Sequence, residues 1–370
     1  MVVSLHPSQQ TAIDNIQAQA VALRLDALST LSHIFRMSNI PLPRLDEAHE
    51  SIRKHARVAL HFHPDRPVNG GRTVASALLE EGIYKSQFET GISNGLVATQ
   101  AGGLRDEWER SLFNGAYHLV GDGSFEPSLR PKYGALDLMR NAEGPAPRFG
   151  SCYFLLKSEV SARSTFTFGG SQADPKHRGT IVEFDAILAA LMEESFSRDF
   201  ALGVDHVRPA KVLDYIVALK ASPLRDDDSG QPTRNLDHVI EAQIHGDVLL
   251  VRDVEALVAD PSFFERGETG GELKAMCKRY GFPLRLHHGY CMDAGSVPLD
   301  FRGPTMPSLA ARVAKNGAVL DVEAIGLAVR DLTENPDAWK DRGTFTEVLQ
   351  ELKLLWHVLV RYGQAHGSSC

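Results

Sequence analysis

The spacing of apolar residues divides the chain into elements of two periods. Across 11–35, Ile13, Ile16, Ala20, Leu23, Leu28, Leu31 and Ile34 return near every 3.6 positions and predict one long amphipathic helix. Two prolines in 39–44 interrupt it, and a charged helix or turn is expected over 45–56. Val58-Ala59-Leu60-His61-Phe62-His63 then runs without alternation into Pro64, as a buried strand ending at a site does. Val74, Ala77 and Leu78 predict the inner face of a short helix over 72–81, with Gly82 as its C-cap. Segments 151–156 and 164–168 read as strands, 181–194 as an amphipathic helix, and 239–251 as a strand region broken by Gly246. A short helix is expected to begin over 254–258. Thr344 and Glu347 have capping-box spacing, and 352–360 is apolar on most sides, which predicts a buried helix ending near Gly363.

Composition limits the classes of function. The 370 residues are 43% hydrophobic and carry a net charge of −8, which suits a globular chain and opposes nonspecific binding to nucleic acid or an anionic membrane. No apolar run approaches the roughly 20 residues of a membrane helix, and no basic-then-apolar leader opens the chain. Cys152, Cys277, Cys291 and Cys370 include no CxxC pair, so reduced thiols and no structural zinc site are expected. The expected location is the bacterial cytosol; injection into a host cell would leave no mark on these features.

Two carboxylates stand where apolar runs end or pass. Asp65 closes His61-Phe62-His63-Pro64-Asp65-Arg66. Glu241 lies in a segment where Glu241, Gln243 and His245 share one strand face and Ile240, Ala242 and Ile244 the other. That polar face either lines a cleft or belongs to a solvent-facing edge strand. His61 and His63 are spaced for a shared metal, but neither a third ligand nor HExxH accompanies them, and no metal is expected. His63-Pro64-Asp65 after a basic stretch matches the HPD loop of J-domain co-chaperones, which gives an interaction module as one alternative. Asp65 as a cap near Arg72, or paired with Arg66, is the structural alternative. Gly91-Ile92-Ser93-Asn94-Gly95 has the G-x-S-x-G form of a hydrolase elbow, with Ser93 as nucleophile, but lacks a clear strand before it and helix after it. Gly121-Asp122-Gly123 lacks the third glycine of a dinucleotide fingerprint. The polar segment 82–103 is a candidate ligand loop. Arg148-Phe149-Gly150-Ser151 and Lys132-Tyr133-Gly134 each join a cation or ring to a glycine that lets a ligand approach the backbone.

Taken in order, HFHPDR, GIYKSQFETGISNG, LFNGAY, RPKYGAL, PRFGSC, FTFG, IEAQIHGDV and VEALVADPSF, followed by GFPLRLH, DFRGP and LKLLWHVLV, resemble the bacterial CteC-like ADP-ribosyltransferases. The resemblance runs from about residue 50 to near the C-terminus. It implies an α+β fold with a split, mixed, PARP-like transferase sheet and flanking helical regions. The expected division is an N-terminal helical segment over 1–50, a core over 51–264 with a helical insertion near 181–235, and a mainly helical region over 265–370. It implies NAD+ as co-substrate and transfer of ADP-ribose to a protein hydroxyl, a threonine of ubiquitin, so blocking host ubiquitination. An Asp–Glu pair replaces the Arg-Ser-Glu or His-Tyr-Glu sets of other transferases. The roles fall on Asp65 and Glu241, with Asp106 and Asp137 as other acids in resembling segments. His63, Arg66, Gln87, Phe88, Thr90, Ser93, Tyr133, Arg148, Phe149, Gly150, Ser151 and Gln243 are then expected to shape the NAD cleft.

The chemistry is coherent in its own right. Cleaving a nicotinamide–ribose bond builds an oxocarbenium-like centre. A carboxylate facing that charge stabilises the transition state above the ground state, the role expected of Glu241. Asp65 is expected to orient the ribose or take the incoming hydroxyl's proton.

Overall fold

The computed structural model describes residues 3–68, 71–91, 99–118, 125–221, 231–265, 267–314 and 319–367. Its centre is an eight-stranded sheet: β1 Val58–Phe62, β2 Lys132–Leu136, β3 Cys152–Leu156, β4 Ser164–Phe168, β5 Arg178–Thr180, β6 Ile240–Ile244, β7 Val254–Ala259 and β8 Leu284–Leu286. The spatial order is β8-β7-β3-β1-β2-β6-β4-β5. Only β7 and β8 pair in parallel; every other neighbouring pair is antiparallel. The class is therefore α+β, with a mixed, mostly antiparallel sheet and flanking helices.

Alternation along the strands separates two faces. Val58, Leu60, Phe154, Leu156, Phe166, Ile240, Ala242 and Ile244 belong to the main apolar cluster. Helix α1 (Pro7–Met37) and the later helix Asp185–Arg198 lie together over β4 and β5, with Ile16, Leu31, Ile34, Ile187, Leu188 and Leu191 buried. The helix of the expected insertion packs into the core through residues 186–192, all buried, while Glu193, Ser197 and Arg198 stay exposed. One apolar cluster joins Leu31, Leu60, Ile187, Phe263 and Trp356, which come from all three expected regions.

The charged helix expected over 45–56 is Pro43–His55, and the helix expected over 72–81 is Val74–Glu81, closed by Gly82. The predicted C-terminal helix is Phe345–Tyr362, and its Thr344–Glu347 capping box forms. The expected helix at 254–258 is instead strand β7, recruited between β3 and β8. Its run Val254-Glu255-Ala256-Leu257-Val258-Ala259 is too short to satisfy its backbone as a helix, and pairing on both sides does so. Cys152 and Cys277 are free buried thiols, whereas Cys291 is disulfide-bonded, contrary to the all-thiol expectation. Among the described residues, no helix is long and apolar enough to cross a membrane.

The sheet opens at one place. β1 pairs with β2 only through Val58 with Leu136 and Ala59 with Ala135, although β1 runs on to Phe62 and β2 begins at Lys132. Beyond that apex the strands diverge. Gly134 permits the approach: a Cβ there would stand 2.5 Å from the Ala59 carbonyl oxygen.

Candidate active site

A cleft of about 340 Å³ occupies this wedge. His61, Phe62 and His63 form one wall and Lys132, Tyr133 and Gly134 the other, while Glu241 enters from β6 beyond. Val74, Ala77 and Leu78 from the helix Val74–Glu81 close one side. Their inward face lines the cleft, and Leu78 also belongs to the main apolar cluster. Tyr84, Gln87 and Thr90 come from the segment expected to hold ligand, and Arg66, Arg105, Trp108, Arg148, Phe149 and Gln172 complete the polar and aromatic surface.

Glu241 is fixed by a directional chain of hydrogen bonds. Its Oε1 accepts the Ser171 backbone N–H at 3.2 Å and Gln243 Nε2 at 3.0 Å. Gln243 Oε1 accepts Thr165 Oγ1 at 2.9 Å. With its hydroxyl proton so committed, Thr165 Oγ1 accepts from His245 Nε2 at 3.1 Å, and His245 Nδ1 accepts the Tyr117 hydroxyl at 2.6 Å. The chain requires one neutral His245 tautomer. Burial supplies it by pushing the imidazole down to about 3. Burial also raises the Glu241 carboxyl above its ordinary range, against the lowering pull of Ser171, Gln243 and Arg105. β6 is an inner strand between β2 and β4, so the edge-strand alternative for its polar face does not hold.

A second buried network braces the opposite wall. The Tyr133 hydroxyl donates to Glu109 Oε1 at 2.7 Å, and Arg130 binds Glu109 at 2.9 Å and also Asp106. Asp106 further contacts His118 at 2.9 Å. The Arg105 guanidinium lies 5.1 Å from the centre of the Tyr133 ring. Asp106, one of the alternative acids, is therefore occupied in an ion network. Asp137, the other, accepts the Arg140 backbone N–H at 2.9 Å.

The two leading carboxylates do not share the cleft. Asp65 lines a separate small pocket with Val322, Gly326, Val329, Lys353 and Trp356. It is not the cap of the following helix, where Thr73 accepts from Ser76 at 3.0 Å. Its side chain abuts Gly326, where a Cβ would stand 1.4 Å from Asp65 Oδ2. Burial raises this carboxyl to about 7. His63 and Arg66 line both spaces and stand between them.

Of the other expected residues, His63, Arg66, Gln87, Thr90, Tyr133, Arg148 and Phe149 line the cleft. Phe88 packs beside Arg130 and Phe125 instead. Gly150 lies beneath the Phe62 backbone, and the Ser151 carbonyl meets His287 Nε2 at 2.9 Å. Gln243 acts behind Glu241. Ser93, and with it the G-x-S-x-G segment, lies outside the described residues. His61 is a satisfied strand histidine: Nδ1 meets the Gly150 carbonyl at 3.1 Å and Nε2 accepts the Ala146 N–H at 3.2 Å. His63-Pro64-Asp65 follows a strand, not the first helix of the hairpin a J-domain requires.

Arg105, Trp108 and Gln172 were not anticipated. The helix Leu104–Leu112 reads as a charged surface element, and its one signal was Asp106 and Glu109 at helical spacing, both now buried.

Residues 57–362 match the protein family DUF3626, described as a protein of unknown function. The chain is a DUF3626 protein. The match takes in the wedge, Glu241 with its hydrogen-bond chain, and the helix Phe345–Tyr362 beside the cleft. No curated protein matches this DUF3626 chain.

Proposed function

We propose that this DUF3626 protein is an NAD-dependent mono-ADP-ribosyltransferase acting on a protein hydroxyl, with a threonine of ubiquitin as the acceptor the resemblance implies. The observation that carries the reading is Glu241: a carboxylate on an inner strand, oriented by Ser171 and Gln243, at an open cleft lined by Tyr133, Phe149 and Trp108. The rings supply stacking surfaces, and Arg66, Arg105 and Arg148 supply positive charge for an anionic dinucleotide. The PARP-like assignment of the sheet belongs to this proposal; the wedge between β1 and β2 is the feature in its favour.

In this mechanism the C–N bond to nicotinamide breaks and its electron pair leaves with the neutral ring. Glu241 faces the positive charge that develops on the ribose. The acceptor oxygen forms the new bond to the ribose carbon and releases its proton. Glu241, made more basic by burial, is the cleft carboxylate suited to receive it. Asp65 is given no contact with substrate. It supports Arg66 and His63 from behind.

The test is incubation with labelled NAD and ubiquitin, comparing wild type, Glu241→Gln, Asp65→Ala and Ser93→Ala. Label on ubiquitin from wild type and Ser93→Ala, lost in Glu241→Gln, is the expected result. Label that survives Glu241→Gln overturns the assignment of Glu241. Absence of label on ubiquitin and on any protein of a host lysate overturns the transferase reading.

A further inference from the structure

Among the described residues, positive charge collects where the C-terminal helix meets the cleft, with few carboxylates to match it. The helix Phe345–Tyr362 docks there through Trp356, whose Nε1 donates to the Pro147 carbonyl at 3.0 Å and whose ring meets His63 edge-on at 5.3 Å. This sets Lys353 and His357, one helical turn apart, beside Arg148. Arg302 comes from the turn before the helix Met306–Ala314 and acts on Arg148, Lys353 and His357. Arg66 reaches the same place from the end of β1.

Among the described residues, Arg66, Arg302 and Lys353 form no salt bridge; Arg148 has one, to the largely exposed Asp237. Within this group Asp65 faces Arg66, and Arg330 and Glu323 also act on it. His357 is 1% exposed. Among the described residues neither of its ring nitrogens has a hydrogen-bond partner. An unpartnered buried imidazole beside three cations, Arg148, Arg302 and Lys353, in a chain of net charge −8, is costly unless an anion completes the set.

We infer that Arg148, Arg302 and Lys353, gathered about His357, together with Arg66 beside Lys353, form a phosphate-binding subsite where the C-terminal helix meets the Arg148 end of the cleft. The inference rests on the cleft being the ligand site and specifies which part of the ligand this side receives: a phosphate or pyrophosphate group, held by charge-assisted hydrogen bonds. Arginine offers paired donors to phosphate oxygens, Lys353 a point charge, and His357 a donor once its free nitrogen faces an anion. In the reading above, the aromatic rings and Glu241 are left for the sugar and the leaving ring.

Calorimetric titration of the full chain with inorganic pyrophosphate, ADP-ribose, NAD and adenosine tests this. Wild type is expected to bind pyrophosphate and ADP-ribose, more weakly as salt is raised. Arg302→Gln and Lys353→Gln are each expected to weaken both about tenfold or more. Adenosine binding should be unchanged, and Lys54→Gln, an exposed lysine paired with Glu50, should behave as wild type. Circular dichroism melts establish that each variant is folded; if Lys353→Gln is not, Lys353→Arg with retained binding and Arg302→Gln with lost binding carry the test. Wild type without pyrophosphate affinity, or variants that bind it as tightly as wild type, overturns the subsite. Pyrophosphate binding without NAD or ADP-ribose binding leaves the subsite standing and removes the NAD reading. ADP-ribose binding that both variants retain does the reverse.

Discussion

The side-chain amide of Gln243 donates to Glu241 Oε1 across 3.0 Å, and it cannot be turned round, because its carbonyl oxygen already accepts Thr165 Oγ1. One oxygen of Glu241 is thereby held by Gln243 and the Ser171 backbone. Glu241→Gln is expected to lower kcat of labelled transfer by about 10²–10³, the range for loss of one preorganised electrostatic group. Gln243→Ala removes a single hydrogen bond to a charged group and should cost about tenfold or somewhat more. Equal kcat in wild type and Gln243→Ala would remove the positioning role.

His245 holds the far end of the same chain as a neutral ring. His245→Phe keeps a ring of similar size but leaves Thr165 and Tyr117 without partners. A loss of about 1–3 kcal/mol in urea unfolding is expected, with kcat reduced and affinity for ADP-ribose retained. A fall in affinity with unchanged kcat would contradict action through Glu241.

The apex of the wedge depends on Gly134. Gly134→Ala places a methyl group 2.5 Å from the backbone oxygen of Ala59, and a paired strand cannot move aside as a flexible side chain does. Thermal and urea unfolding should show a loss of about 1–3 kcal/mol or more. A stability equal to wild type would show that the two strands are not locked at this point.

Asp65 gives a pH dependence with a definite sign. Its carboxyl is raised from 3.8 to about 7 by burial, so the folded protein holds a proton that the unfolded chain releases. The stability linked to that proton is present in full below about 4 and is lost as pH rises through about 7. Asp65→Asn, which cannot ionise, should therefore gain in stability relative to wild type as pH goes from 4 to 8 in denaturant titrations. A constant difference across that range would mean Asp65 is ionised in the folded state. The same variant should retain transfer activity, since Asp65 lies behind Arg66.

Local pattern made much of the fold legible. The period of 3.6 marked the first helix, the capping box marked Phe345–Tyr362, and period two assigned both faces of β6. The last of these also located Glu241, because a polar strand face between apolar partners has to line something. That Asp65 lines a different pocket from Glu241 was not legible, for an equally physical reason. A residue that ends a buried strand can turn to either side, and the glycine that receives it, Gly326, lies far along the chain in a helix whose contacts no local pattern reveals. Arg105, Arg302 and Lys353 went unseen because a cation in an amphipathic helix or turn reads as solvated surface until tertiary packing removes its partners. β7 was misread because a six-residue segment, apolar but for Glu255, satisfies either period.

The strand order carries a consequence for the chain's synthesis. β1, near the start, finds β2 and β3 only after residues 132–136 and 152–156 have been made, and Glu241 lies 85 residues beyond Leu156, the end of β3. A ribosome-bound chain that stops short of β6 has an open sheet edge at β2 and no carboxylate facing the wedge. Long-range pairing of this kind is slow and exposes strand edges meanwhile. The finished cleft therefore arrives late in folding, and a producing cell meets it only once the molecule has left the stage at which it is most prone to aggregate.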